Sequence, residues 1–185
     1  AEVTPEYYVN DAGAQMDKFG ASILARATGG EVPEGGYHAD DIKVIAAQLA
    51  EEEGDKWLTA DPKERLAHFM DYGKKKELEK IDRDLKAYRV TMQSWMHETF
   101  FYENNSKRIN DCLQHMADMG LTYEKDGALW VKTAEIMRDQ YRKQGKKDED
   151  IDKLGLKDDV RRRANGLYTY IDGDIAYHRN KFEAV

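Results

Sequence analysis

The segment Tyr7-Tyr8-Val9-Asn10-Asp11-Ala12-Gly13-Ala14-Gln15-Met16 combines a β-rich run, a turn and the start of an apolar helical pattern. Residues 4–9 are rich in β-branched and aromatic side chains, which favour strands. Phe19, Ile23 and Leu24 then recur at the spacing of one helix face. We therefore expect a strand that ends in a turn and leads directly into an amphipathic helix, as in α/β folds.

The composition is that of a folded chain with an acidic surface. Of 185 residues, 41% are hydrophobic and 35% charged, and the net charge is -7. No apolar run approaches the roughly 18 residues of a membrane helix, and the N-terminus lacks a signal-peptide pattern, so we expect a cytoplasmic protein without a membrane partner. The negative charge argues against a nucleic-acid coat and suits a cationic small ligand better.

Helical signals dominate the next part of the chain. A second helix is expected around Ile42 to Leu49, and Asp61-Pro62-Lys63-Glu64 has the cap, proline and glutamate of a helix start. The apolar face that follows predicts a long helix to about Lys86. Alternation from Tyr88 to Gln93 then predicts a short strand that ends near Trp95.

Further elements follow in the second half. We expect a helix over 102–119 that stops at Gly120, a hairpin around Asp126-Gly127, and a helix over 136–144. Residues 145–150 form a polar run of mixed charge and are predicted to be a solvated excursion from the fold. Residues 166–178 are predicted to be a strand that leads into a last helix. The order predicts an α/β core in segments 1–30, 87–120 and 165–185, interrupted by insertions at 31–86 and 121–164.

The last predicted junction carries the best candidate binding residues. Tyr170, Asp172 and Asp174 place a phenol and two carboxylates within reach of one cation. Asp172 is nearer the helix start and is expected to cap it, which leaves Asp174 for a ligand. The alternative is that Asp174 only benefits from the unpaired N–H groups of the helix N-terminus.

Other polar residues have a structural and a functional interpretation. Asn10 and Gln15 follow a predicted strand, where open α/β sheets bind ligands. Equally, Asn10 or Asp11 could cap the next helix, with Gly13 allowing close approach of helix to sheet.

Two groups of histidine and acidic residues superficially suggest metal ligands, but neither offers the three or four convergent ligands of a zinc site, so surface or capping roles and no metal site are expected. The groups are His38 with Asp40 and Asp41, and His97 with Glu98. Cys112, the single cysteine, is expected to be a buried, inert thiol. The run Arg161-Arg162-Arg163 could contact phosphate, but beside Asp158 and Asp159 it is rather expected to be a solvated, self-paired patch.

Five colinear blocks resemble the arginyl-tRNA synthetases, a class I family. The first block, 7–16, resembles the family's strand that ends in V-N-D-x-G-x-Q. The others are Tyr37-His38-Ala39-Asp40-Asp41-Ile42, Trp95-Met96-His97-Glu98 with Tyr102, Gly120-Leu121-Thr122-Tyr123-Glu124-Lys125-Asp126-Gly127-Ala128-Leu129-Trp130, and Gly166-Leu167-Tyr168-Thr169-Tyr170-Ile171-Asp172-Gly173-Asp174-Ile175-Ala176-Tyr177-His178. The likeness is faint at about 56–86 and 133–157.

The resemblance implies a partial Rossmann-type, HUP-like catalytic core and an activity that joins L-arginine to tRNA(Arg). The family uses ATP and Mg²⁺ and forms an arginyl-adenylate. In its Y-x-x-x-D positions, matched by Tyr170 and Asp174, the Asp pairs with the substrate guanidinium and the Tyr helps to hold it. Asn10 and Gln15 are further possible pocket residues.

Both ATP-binding signatures of class I synthetases, H-x-G-H and K-M-S-K-S, are missing from these 185 residues. We therefore expect an internal segment of a catalytic domain with no catalytic residue of its own, no tightly bound ATP or Mg²⁺, and no adenylate formation in isolation. The alternatives are a non-catalytic module that binds arginine or a protein, and one half of a split synthetase. A missing core strand would expose a sheet edge and favour self-association.

Overall fold

A computed structural model describes residues 3–183, which form an α/β structure with two small sheets. The chain divides into two compact units, the first running to Thr99 and the second beginning at Phe100. No helix in the described range is long and apolar enough to cross a membrane. The predicted order of elements is confirmed, with one additional short helix in the second unit.

The first unit packs three helices beside a parallel strand pair. Its elements are β1 (Glu6–Val9), α1 (Ala14–Thr28), α2 (Asp40–Glu53), α3 (Pro62–Ala87) and β2 (Ser94–His97). Helix α1 packs against both α2 and α3, and their apolar faces form one core from Phe19, Ile23, Ile42, Ile45, Leu49 and Phe69. The predicted insertion 31–86 thus supplies two helices that cover α1, while its status as an insertion stays a prediction.

Helix α1 approaches α3 closely at Gly20. A Cβ at that position would lie 2.9 Å from the Cβ of Met70 and 3.1 Å from its backbone nitrogen. Both distances are shorter than ordinary carbon contacts, and the backbone atom cannot rotate away. The α1–α3 crossing therefore requires glycine at residue 20.

The beginning of α3 is as expected, but the strand predicted after it is wrong. Asp61 accepts hydrogen bonds from the N–H groups of Lys63 and Glu64, with Pro62 in the first turn. At the other end Arg89 adopts a left-handed conformation (φ 62°) and the Val90 N–H bonds back to Leu85 O, which closes the helix. Residues 88–90 thus close the helix, residues 91–93 form a connection, and β2 starts at Ser94.

The second unit joins an antiparallel sheet to four helices. Its elements are α4 (Thr99–Asp118), β3 (Thr122–Lys125), β4 (Ala128–Val131), α5 (Thr133–Lys143), α6 (Asp148–Asp152), β5 (Asp159–Arg162) and α7 (Ile171–Glu183). The strands lie in the order β3-β4-β5. The hairpin turn is the predicted Asp126-Gly127, with φ 53° and 73°, as a two-residue turn between twisted strands requires.

Helix α4 differs from its prediction at the N-terminal end. It begins at Thr99 instead of 102, and residues 103–106 interrupt it, with three consecutive left-handed residues at 104–106. Its C-terminal end is as predicted: Gly120 has φ 72°, and the Leu121 N–H bonds to Met116 O. Cys112 is buried in this helix, as expected, and burial raises the pKa of its thiol.

One further prediction for the second unit is incomplete and another is wrong. Residues 145–150 are exposed, as expected of a solvated excursion, but α6 begins within them at Asp148. This helix is held by an ion pair between Arg142 and Asp148 (2.8 Å) and buries Ile151 completely.

The strand predicted at the start of 166–178 does not form, since Tyr168 makes only an isolated bridge to Arg162. The last strand is instead β5, which pairs with β4. Arg161 and Arg162 are therefore strand residues. Arg161 is buried, not solvated, but it pairs with Asp159 at 3.1 Å, as a self-paired patch predicts.

Candidate functional site

The carboxyl ends of β1 and β2 meet at one edge of their sheet. The two strands are parallel, with Val9 opposite His97. The Glu98 N–H donates to Val9 O at 2.9 Å, and the Asp11 N–H bonds to the same carbonyl at 3.0 Å. Asp11 thus lies directly beyond both strand ends, the position at which parallel sheets place functional side chains.

The carboxylate of Asp11 is a buried acceptor for three residues, being only 4% exposed. Its Oδ1 accepts from the Thr99 N–H at 3.0 Å. Its Oδ2 accepts from His97 Nδ1 at 2.8 Å, from Thr99 Oγ1 at 3.2 Å and from Lys74 Nζ at 3.3 Å. This Asp11 cluster joins both strand ends to helix α3.

These contacts decide the charge state of Asp11. Burial alone would raise the pKa of the carboxyl, but the hydrogen bonds from Thr99 and His97 and the charge of Lys74 outweigh it and lower the pKa. The carboxylate is therefore ionised at neutral pH. As an anion it accepts the Nδ1–H of His97, which fixes the tautomer of that ring.

The interpretation of Asn10 or Asp11 as a helix cap is wrong for α1. The N-cap of α1 is Gly13, and no side chain in the described part of the chain caps that helix. Gly13 adopts φ 88° and ψ 177°, a conformation almost restricted to glycine, and a Cβ there would meet nothing within 4 Å. Backbone conformation, not close approach to the sheet, therefore requires this glycine.

A cavity of about 450 Å³ lies beside the Asp11 cluster in the first unit. Its polar lining includes Asn10, Asp11, Asp41, Lys74 and Glu77, and much of the remaining lining is aromatic or aliphatic. Its volume is in the range of small-molecule pockets. Of the two possible pocket residues in this unit, Asn10 lines the cavity, whereas Gln15 is exposed on α1 and does not.

The start of α7 holds the two residues expected to contact arginine. Tyr170 immediately precedes the helix and is 83% exposed. Asp174 lies in the first turn and is partly buried. Within residues 3–183, no group donates a hydrogen bond to Asp174 or forms an ion pair with it. Its carboxylate is thus available for a cationic ligand.

The prediction that Asp172 caps α7 is wrong, because its carboxylate accepts from a residue that precedes the helix and not from N–H groups of the first turn. Its Oδ2 accepts from the Thr169 N–H at 2.7 Å and from Thr169 Oγ1 at 2.9 Å, although Asp172 itself lies inside the first turn. Burial raises the pKa of Asp172, and the bonds from Thr169 and the charge of Arg161 offset only part of this effect. Its Oδ1 is buried and has no hydrogen-bond partner within residues 3–183.

The histidine groups considered as metal ligands have other surroundings. His97 bonds to Asp11, and Asp40 pairs with Lys43 at 2.7 Å. Asp41 accepts from its neighbour's backbone N–H and lies 3.3 Å from Lys80. Within the part of the chain that the structure describes, no three His, Cys, Asp or Glu side chains come together as a metal site would require.

Known proteins similar to this chain are arginine–tRNA ligases. The ligase of Shouchella clausii is 44% identical over 187 residues, which cover 98% of this chain and 30% of the ligase. Arginine–tRNA ligase 1 of Halalkalibacterium halodurans is 40% identical over 186 residues, with the same coverage of both chains. No protein-family model matches the sequence.

Solved structures agree with the sequence relatives. An arginyl-tRNA synthetase crystal structure from Campylobacter jejuni has a TM-score of 0.74 and 26% identity, and the match covers 97% of this chain and 36% of that one. The Plasmodium falciparum arginyl-tRNA synthetase shares the fold at a TM-score of 0.54, with 13% identity and coverage of 96% and 27%. The chain spans 30% of the length of the curated relatives, and by sequence and fold it belongs to the arginyl-tRNA synthetase family.

Proposed function

We propose that Tyr170 and Asp174 form the arginine-recognition element of an arginine–tRNA ligase. The observation that carries the proposal is the carboxylate of Asp174, which has no partner among residues 3–183 and follows the exposed Tyr170 at the start of α7. The curated relatives, 44% and 40% identical, are named arginine–tRNA ligases.

The chemistry of arginine fits these two side chains. A guanidinium is planar and permanently charged, and it presents parallel N–H groups that match the two oxygens of a carboxylate. Asp174 supplies that carboxylate, and it is not neutralised by a neighbouring cation within the described residues. Tyr170 adds a hydroxyl group and an aromatic face, and the face attracts cations.

The activity proposed for the whole ligase joins L-arginine to tRNA(Arg) through an arginyl-adenylate, with ATP and Mg²⁺. We assign neither ATP nor Mg²⁺ to residues of this chain. The 185 residues contain no H-x-G-H and no K-M-S-K-S sequence, so we propose that they do not form the adenylate by themselves. Arginine-dependent exchange of pyrophosphate into ATP by the purified 185-residue chain would overturn this part of the proposal.

Selectivity for the guanidinium tests the recognition element. The 185-residue chain is titrated by calorimetry with L-arginine and with L-citrulline, which has nearly the same shape but a neutral end group. We expect arginine to bind at least about tenfold more tightly, the factor that corresponds to about 1.4 kcal/mol for a charge-assisted contact. Equal affinity for the two ligands, or no binding of arginine, would reject the proposal.

A further inference from the structure

We propose that Asp172 is a positioning residue for arginine recognition: through Thr169 it holds the backbone that carries Tyr170 into helix α7. The inference rests on the proposed function of Tyr170 and Asp174. It assigns a role to a side chain that is 1% exposed and therefore cannot itself contact the ligand.

Asp172 and Thr169 are bonded to each other in both directions. The carboxylate of Asp172 accepts the N–H and the hydroxyl of Thr169 at 2.7 and 2.9 Å. The Asp172 N–H in turn donates to Thr169 O at 3.1 Å. Only Tyr170 and Ile171 lie between the bonded residues, so these three bonds restrict the backbone of Tyr170 even though its side chain is exposed.

The chain just before Tyr170 is held from two other elements of the same unit. The Thr169 N–H also donates to Arg161 O of β5 at 2.9 Å. Tyr168 donates its hydroxyl to Asn110 Oδ1 of α4 at 2.8 Å. Residues 168 and 169 are thus held against a strand and a helix. Asp172, through its bonds to Thr169, also holds the backbone at the start of α7.

A helix cap alone does not account for a buried carboxylate at this position. Capping is done well by exposed Ser, Thr, Asn or Asp side chains, whereas burial of a charge is costly when one oxygen has no donor. Among the residues that the structure describes, no group donates to Asp172 Oδ1, and the Nε of the nearby buried Arg161 has no acceptor. An energetically unfavourable group beside a binding element is expected where geometry matters more than stability.

The test compares arginine affinity with stability in single variants of the 185-residue chain. Thr169→Val keeps the shape and removes the hydroxyl, and Thr169→Ser restores it. We expect the arginine Kd to rise about fivefold or more in Thr169→Val, with Thr169→Ser within about twofold of the original chain. Asn165→Ala is the matched control, because it removes a similar side-chain bond to the Leu167 N–H in the adjoining turn and should leave the Kd unchanged.

Asp172→Asn gives a second route if Thr169→Val does not fold. The amide still accepts one hydrogen bond but without charge, so we expect a several-fold higher Kd together with an undiminished urea midpoint. A variant that acts only on stability would lower the midpoint and spare the Kd of the folded fraction. That result, or an unchanged Kd in both Thr169→Val and Asp172→Asn, would overturn the positioning role.

The outcomes separate this inference from the proposed function. If the original chain binds arginine and Asp174→Asn does not, the recognition element stands, and an unchanged Kd in both Thr169→Val and Asp172→Asn then rejects the role of Asp172 alone. If the original chain fails to bind arginine, the proposed function falls, and the positioning role falls with it.

Discussion

Asp11 accepts a hydrogen bond from His97 at 2.8 Å and so connects the carboxyl ends of the parallel strands β1 and β2. The same carboxylate holds Thr99, the last residue of the first unit, and reaches Lys74 on α3. Three elements of the first unit, β1, β2 and α3, therefore depend on one buried anion. Its removal is expected to affect the whole first unit.

Asp11→Ala should lower the free energy of unfolding by about 3–5 kcal/mol, because it leaves Lys74 and the Thr99 N–H without a buried acceptor. Urea denaturation followed by circular dichroism measures the loss. Asp71→Ala is the matched control, since Asp71 also lies 3.3 Å from Lys74 but is largely exposed. The control should change stability by no more than about 0.5 kcal/mol. Equal losses in the two variants would contradict the role given to Asp11.

The low pKa of Asp11 predicts an acid-sensitive first unit. Unfolded Asp titrates near pH 4, so below that pH the unfolded chain binds a proton that the native carboxylate resists. The stability contributed by Asp11 is thus complete above about pH 4 and is lost as the pH falls through the lowered native pKa. We expect the urea midpoint of the original chain to fall as the pH is lowered from about 6 to about 3, and the midpoint of Asp11→Asn to fall less. The same fall in both proteins would argue against an ionised Asp11.

Asp172 should show the opposite pH dependence. Burial raises its pKa, so the native state holds a proton that the unfolded chain has released, and stability falls as the pH rises from about 4 through the native pKa. Arg161 is the charged group that opposes this effect. Asp172→Asn is expected to be at least as stable as the original chain at about pH 7 and to lack this decline. A clear loss of stability in Asp172→Asn at neutral pH would contradict the prediction.

Gly20→Ala should destabilise the first unit by about 1–3 kcal/mol, because the added Cβ meets Met70 where the helices cross. The higher helix propensity of alanine, about 1 kcal/mol, offsets only part of this cost. Thermal or urea denaturation measures the difference. Gln48→Ala, an exposed change on α2, serves as the control and should be nearly neutral. If Gly20→Ala were stabilising, the two helices would be less closely packed than described.

Local patterns predicted the order of elements well, because hydrophobic period and helix caps are local properties. Asp61 and the Asp126-Gly127 turn needed no distant partner to be recognised. The alternation of apolar and polar residues after Lys86 was misleading, because it resembles a strand pattern. In the structure a left-handed Arg89 closes helix α3 there. β5 was missed because its arginines become strand residues only through pairing with β4.

The candidate site was only partly predictable for the same reason. Tyr170 and Asp174 were predicted from a short block together with four colinear blocks, and their role stays a prediction. Asp11 was taken for a local cap, whereas its partners lie 63 to 88 residues further along the chain. The sequence did contain a signal, because Asp11 follows a predicted core strand directly. Side chains just beyond neighbouring parallel strands lie close together, so Asp11 could have been expected near the residues that follow β2.

The central claim is that the carboxylate of Asp174 binds the guanidinium of arginine. The most direct measurement is a calorimetric titration of L-arginine into the original chain, Asp174→Asn and Glu124→Gln, the last of which removes an equal charge from an exposed position on β3. We predict that Asp174→Asn weakens binding by about tenfold or more, since a charge-assisted bond contributes about 1.5–3 kcal/mol, and that Glu124→Gln binds like the original. The same arginine affinity in the original chain and in Asp174→Asn would contradict the claim.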